Sequence, residues 1–363
     1  MILSPQLTDG EQTPRYWYFS TARGSVPALK AELKQRLPQM RPSYSSGGFL
    51  TYKQDGGTVL PSSFRKLIFA GACVEAIGKL VGGSPKGFWE MAAPTVQREL
   101  KQRQRFCLHV WSPDGGGRGE PALTPEARRL FYEITAEVPA ALAERLEPTP
   151  EAREGEFCLD VIVTADGTWW LGRHRADSLH RRCPGGLFPL TPPPDAASRA
   201  WLKFEEGLWW SGFPIAVGSR CADIGAAPGG GSQALLSRGA EVIGVDPAEI
   251  APSVLRSPNF RHLRGKISAL RRSEFLKTRW IIADMNVAPS YTLDALEEIV
   301  LRPKMAVRGL LFTMKLFSLA MAADIPAHIR RIKSWGFNQV RVRQLTFNHQ
   351  EVMAAALKKP FRR

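Results

Sequence analysis

The segment Ala222-Asp223-Ile224-Gly225-Ala226-Ala227-Pro228-Gly229-Gly230 constrains the fold of this chain more than any other, and Val242-Ile243-Gly244-Val245-Asp246 follows it closely. The first piece reads as a buried strand running into a glycine-rich turn that opens a helix, and the second as the next parallel strand, ending in a carboxylate. Such a pair begins an open α/β sheet, in which ligands sit beyond the carboxyl ends of the strands. Glycines at the turn let backbone approach a ligand closely, and Asp246 stands where ribose hydroxyls would be accepted. The spacing departs from G-x-G-x-x-G, because Pro228 removes an amide that a pyrophosphate would need. A nucleoside cofactor without phosphate, S-adenosylmethionine, fits better than NAD. The competing reading is a purely structural strand-turn-helix of another α/β protein.

With 363 residues the chain exceeds the usual size of one domain, so two or three domains with full cores are expected. Its 44% hydrophobic and 23% charged residues are ordinary for a globular protein. The net charge of +15 is not, and it points to a polyanionic partner, nucleic acid first. General solubility is the plainer explanation of the same charge. Five scattered cysteines without a C-x-x-C pair and six histidines without ligand spacing indicate neither zinc nor a disulfide framework. No leader-like apolar run follows Met1, and no stretch approaches the roughly eighteen apolar residues that span a bilayer, so the expected location is the cytoplasm.

Residues 1–13 are polar and aperiodic and read as a flexible tail. Tyr16–Ser20 predicts a strand, Val26–Leu37 a helix stopped by Pro38, and Gly48–Tyr52 a second strand; Ile68-Phe69-Ala70 is a further helix or strand candidate. This order suits a ferredoxin-like α+β unit over residues 14–85. A second unit, 86–172, carries a basic helix candidate near Glu99, a strand at Phe106–Val110, a helix from Glu126 to Leu146 and a strand at Leu159–Val163. Residues 173–198 read as a linker, basic in its first half (Arg173, Arg175, Arg181, Arg182) and proline-stiffened in its second. Those arginines either track an RNA backbone or form a solvated face.

From residue 199 to 363 strands and helices alternate, closing with an expected hairpin of Gln339–Leu345 and Glu351–Ala356. Asp284 and Lys315 end two of these strands and therefore face the same crevice as the Pro-Gly-Gly turn, while Lys203 precedes the first strand and Glu351 begins the last. A lysine after the apolar run Leu310–Met314 is either paired in the core or functional.

Several segments in this half resemble the motifs of the FtsJ-type ribose 2′-O-methyltransferases. They are Ser198-Arg199-Ala200-Trp201-Leu202-Lys203, Asp223 through Gly230, Ala283-Asp284-Met285, Met314-Lys315, and Arg343-Gln344-Leu345 with Glu351-Val352. The linker and the amino-terminal half make the chain most similar to the RlmM family, ribosomal RNA large-subunit methyltransferase M. The resemblance implies a Rossmann-like S-adenosylmethionine-dependent methyltransferase domain at 199–363, preceded by ferredoxin-like (14–85) and THUMP-like (86–172) RNA-binding domains. It implies methylation of a cytidine 2′-hydroxyl in large-subunit rRNA through a tetrad falling on Lys203, Asp284, Lys315 and Glu351. Cofactor contacts fall on Asp223, Gly225, Ala226, Pro228, Gly229, Gly230, Asp246 and Asp284, and RNA contacts on Arg173, Arg175, Arg181, Arg182 and Arg199. Two positions depart from the pattern: Gly231 replaces an aromatic residue after Pro-Gly-Gly, and Leu263-Arg264-Gly265-Lys266 lacks the acidic residue expected near the adenine.

The chemistry fits those residue types. A ribose hydroxyl attacks a sulfonium methyl only when its proton is removed or strongly polarised, a task for Lys315 if Lys203 and partial burial lower its pKa, with Asp284 and Glu351 orienting both lysines. A cytosine C5 methyltransferase needs a cysteine nucleophile, absent from Asp284–Pro289, and the Asn/Asp-Pro-Pro-Tyr turn of amino methyltransferases is missing. An RNA-binding protein with a degenerate enzyme domain remains the reading from another class, and a nicotinamide-dependent dehydrogenase is weaker.

Overall fold

The computed structural model describes residues 15–57, 59–101, 103–113 and 124–358; the segment 1–13 expected as a tail lies outside them. The chain forms two compact units, the first holding most residues up to Gly185 and the second those from Gly186 on.

The first unit runs β1 (Arg15–Ser20), α1 (Val26–Arg36), β2 (Met40–Ser46), β3 (Phe49–Gln54), α2 (Pro61–Phe64), β4 (Cys73–Val81), α3 (Pro85–Glu99), β5 (Phe106–Trp111), α4 (Pro125–Ala136), α5 (Ala140–Ala143), β6 (Phe157–Val163) and β7 (Thr168–Arg175). Its seven strands make one sheet in the order β2-β3-β1-β4-β7-β6-β5. The segments 14–85 and 86–172 thus contribute adjacent halves of a single sheet, joined where β4 pairs antiparallel with β7. Every residue of β5 and nearly every one of β6 is buried, as continuous apolar runs require. The expected helix from Glu126 to Leu146 is split, because Pro139 lacks the amide that would continue it. Ile68-Phe69-Ala70 is neither helix nor strand. It is a buried loop whose Ile68 and Phe69 amides donate to the Glu32 carboxylate at 2.9 to 3.2 Å. β7 carries the unit three residues past Gly172 into the expected linker, since Arg173 and Arg175 still pair with β6.

The second unit runs α6 (Ala200–Ser211), β8 (Arg220–Ile224), α7 (Gly230–Leu236), β9 (Glu241–Asp246), α8 (Pro252–Leu255), β10 (Phe260–Arg264), β11 (Trp280–Ala283), α9 (Pro289–Val300), β12 (Gly309–Lys315), α10 (Ile325–Ser334), β13 (Gln339–Arg343) and β14 (Glu351–Leu357). Its sheet has the order β10-β9-β8-β11-β12-β14-β13, parallel from β10 to β12. The order reverses at β8, next to the glycine turn, which is where open α/β sheets bind ligands. β13 and β14 form the expected antiparallel pair, with β14 inserted between β12 and β13. Phe204 and Leu208 of α6 join Ile282, Leu311 and Met353 in the core. Gly207 permits that approach: a Cβ there would lie 3.2 Å from both Leu311 and Met353 side-chain atoms. Among the described residues no helix is long and apolar enough to cross a membrane.

Candidate active site

Four charged side chains converge at the carboxyl ends of β11 and β12. Asp284 follows β11 directly, Lys315 closes β12, and Glu351 opens β14 in direct register with Lys315. α6 brings Lys203 to them. Its Nζ lies 3.0 Å from Asp284 Oδ2 and 2.8 Å from Glu351 Oε1. Lys315 Nζ lies 2.9 Å from Asp284 Oδ1 and also pairs with Glu351 Oε2. The result is an alternating ring in which each ammonium touches both carboxylates and the formal charge cancels. Charges this enclosed are tolerable only when so paired and hydrogen-bonded. Thr313 Oγ1 donates to Asp284 Oδ1 at 2.6 Å, and Asn348 Nδ2 to Glu351 Oε1 at 3.2 Å.

The ring sets its own protonation. Burial would raise the Asp284 pKa, but Lys203 and Lys315 hold it below the ordinary carboxylate value. Burial would lower the Lys315 pKa, but Asp284 and Glu351 hold it above the ordinary lysine value. This corrects the expectation that Lys203 depresses Lys315: the two carboxylates in direct contact with Lys315 outweigh it.

The turn after β8 is shaped by contacts that exclude side chains. Gly225 has φ +78°, and a Cβ there would lie 3.0 Å from the Asp284 carbonyl oxygen. A Cβ on Gly229, at φ +120°, would lie 2.8 Å from Val254 of α8, and one on Gly230 would lie 2.4 Å from Ser198 Oγ. At Gly231 a Cβ would meet Phe204 at 2.8 Å, so a ring from α6 fills the space where the sequence pattern led us to expect an aromatic residue. Asp246, at the end of β9, accepts from the Ala227 amide at 3.1 Å and the Ala248 amide at 2.8 Å. It is half-buried, and its oxygens keep lone pairs for ribose hydroxyls. Asp223 is different: it is buried in β8 and accepts from Ser232 Oγ at 2.7 Å, with burial pushing its pKa up to about 7 against that hydrogen bond. Its carboxyl anchors the first turn of α7. Ala226 is buried beside Ile250 and Val254, and Pro228 is exposed in the turn. A cradle that a Cβ would close, beside a half-buried carboxylate at the end of the adjacent strand, suits S-adenosylmethionine.

The arginines differ in their surroundings. Arg181 is buried, donating to Asp177 and, at 3.0 Å, to the Cys73 carbonyl; Arg173 is largely enclosed by ion pairs to Glu75 and Glu99. Both are fixed inside the first unit, which removes them from the expected set of phosphate contacts. Arg182 donates to the Ala152 carbonyl at 2.8 Å, and Arg175 is exposed near the Phe157 ring. Arg199, before α6 in the second unit, is exposed and contacts His349 at 2.6 Å.

Sequence reasoning missed Thr313, Asn348, Ser232 and Glu206. Thr313 was signalled by its place two residues before Lys315 on the same strand face. Glu206, fully buried on α6, accepts the Thr346 and Phe347 amides at 2.9 and 3.1 Å and so fixes the loop before Glu351. A carboxylate that accepts from backbone amides 140 residues away leaves no sequence pattern.

Residues 196–344 match the FtsJ-like methyltransferase family model, a span that takes in Lys203, Asp284 and Lys315 and stops short of Glu351. The ribosomal RNA large subunit methyltransferase M of Thauera aminoaromatica is 25% identical, with 73% of this chain and 72% of that one covered. The protein of the same name from Azoarcus sp. (strain BH72) is 27% identical over 76% and 70%. Among solved structures, TrmN from Thermus thermophilus aligns with 94% of this chain and 99% of its own at 14% identity and a TM-score of 0.33. Residues 196–344 therefore carry an FtsJ-like methyltransferase domain, whose methyl donor is S-adenosylmethionine.

Proposed function

We propose that this enzyme methylates a ribose 2′-hydroxyl of large-subunit ribosomal RNA, at a cytidine. The observation that carries this reading is the alternating Lys203–Asp284–Lys315–Glu351 ring at the carboxyl ends of the strands, beside the glycine turn. It holds no thiol nucleophile and no amide-rich turn for an exocyclic nitrogen. It offers an amine that can act on a hydroxyl proton, and the names of the relatives support rRNA as substrate.

When bound, S-adenosylmethionine supplies the electrophilic methyl. Lys315 acts on the attacking oxygen, accepting its proton through Nζ once it has shed its own. Glu351 and Asp284 fix Nζ in place, and Lys203 balances their charge so that neither carboxylate is left unpaired in a dry site. Asp246 holds the cofactor ribose, and the Gly225 to Gly230 backbone lines its path. Asp223 contributes by anchoring α7.

The first unit serves substrate capture. Its opening β1-α1-β2-β3-α2-β4 order, with strands arranged β2-β3-β1-β4, supports a ferredoxin-like domain, and the remainder a THUMP-like one. Arg175, Arg182 and Arg199 contact phosphate. The second reading, an RNA-binding protein with a weak enzyme domain, draws on Lys266 in place of an acidic adenine partner. Mapping 2′-O-methyl sites in total RNA with and without the protein separates the two: one lost cytidine site supports the enzyme, and an unchanged map supports the binder.

A further inference from the structure

The geometry points to a structural zinc site in the first unit, held by His109, Cys158 and His174. Strand register assembles it. Cys158 of β6 lies opposite His174 of β7, while His109 of β5 lies opposite Asp160, two residues along from Cys158 on the same face. One donor atom from each of His109, Cys158 and His174 falls within 4.8 Å of the other two, and His109 and Cys158 are completely buried.

A second observation makes this more than a polar cluster. Both ring nitrogens of His109 are buried without a hydrogen-bond partner, the nearest carboxylate oxygen of Asp160 lying 3.7 Å from Nδ1. An enclosed imidazole left in that state is costly unless something ligates it. His174 is already oriented as a ligand: Nε2 lies 2.8 Å from the Arg181 carbonyl, which fixes the hydrogen on Nε2 and turns Nδ1 toward the cluster. Nδ1 currently shares a proton with Asp160 Oδ2 at 2.5 Å. Metal binding displaces the Cys158 thiol proton and any proton on the ligating imidazole nitrogens as the Zn–S and Zn–N bonds form. His109 adds a second nitrogen and Asp160 completes a tetrahedron, while Trp111 Nε1 remains bonded to the other carboxylate oxygen at 3.1 Å. Cys107, opposite Cys158 in register, borders the cluster, and its thiol donates to the Thr149 carbonyl at 3.3 Å. Two nitrogens, one sulfur and one carboxylate oxygen in a closed, dry cavity are the donors of a structural zinc, with bonds of about 2.0 to 2.3 Å. The ion would tie β5, β6 and β7 together. Because the ligands are spread over three strands, no metal-site spacing in the sequence announces them.

The test uses the full chain without an affinity tag, stripped by chelator and titrated with Zn2+ or Co2+. One equivalent of Zn2+ per chain, a Zn2+-dependent rise in Tm and a thiolate-to-Co2+ charge-transfer band support the site. Cys158→Ser and His109→Gln should lose the tight equivalent, and Cys221→Ser, in the other unit, should keep it. A folded wild-type protein that takes up no stoichiometric Zn2+ at micromolar concentration, or that binds Co2+ without a thiolate band, overturns the inference. The wild-type spectrum needs no variant to fold, and its outcome is independent of whether the methyl acceptor is a ribose.

Discussion

Lys315 and Glu351 are register partners on the antiparallel strands β12 and β14, so a sheet ladder, and no mobile loop, sets the ammonium against its carboxylate. Asp284 and Lys203 then close the ring from β11 and α6. Lys315→Ala should therefore lower methyl transfer by about 10²-fold or more while S-adenosylmethionine affinity changes little, because the residue acts on the nucleophile. Single-turnover rates together with calorimetric cofactor titration check this. Retention of more than about a tenth of the activity rules out the role.

The pH profile follows from the direction of the Lys315 shift. Only the neutral amine can accept a proton, and Asp284 and Glu351 hold Lys315 charged beyond the ordinary lysine range. The competent fraction accordingly grows with pH, by about tenfold per unit below that pKa. The chemical step measured from about pH 7 to 9 should climb throughout. A plateau beginning near neutrality would mean that Lys315 is not the base.

Asp246→Ala should weaken S-adenosylmethionine binding by roughly 1.5 to 3 kcal/mol, since it removes a charged ribose acceptor. The same change frees the Ala227 amide it now holds. Gly229→Val should weaken binding too, because its φ of +120° and the nearby Val254 leave no room for a branched side chain. Equilibrium titration of both variants decides the matter, and unchanged affinity in both would place the cofactor elsewhere.

Much of this site was legible because its chemistry sits where strand periodicity changes. Asp284 and Lys315 are polar residues directly ending apolar runs, and the Gly225 to Gly230 turn has few conformational alternatives. β2 was missed because six of its seven residues are exposed and it carries no apolar alternation. The roles of the glycines were half-read: Gly230 and Gly231 face Ser198 and Phe204, so close packing against the α6 segment, a long-range relation, demands them. Arg181 misled for the same reason. A basic run looks solvated until Asp177 and the Cys73 carbonyl are brought to it by folding.

The boundary between units bears on substrate capture. The first unit extends to Gly185, so a chain beginning at Gly186 should fold on its own sheet and core and still bind S-adenosylmethionine. It should lose most RNA affinity, and the intact protein should show the steeper fall of binding with salt. Isotherms at several salt concentrations read both quantities. Equal affinity and equal slope for the two proteins would assign the first unit another task.

The central claim is the identity of the methylated atom. The most direct measurement incubates the purified protein with methyl-labelled S-adenosylmethionine and large-subunit rRNA lacking the modification, followed by digestion to nucleosides and separation by mass. The account predicts label in 2′-O-methylcytidine, abolished by Lys315→Ala. Label on a nucleobase, or none from a protein that binds both cofactor and RNA, would contradict it.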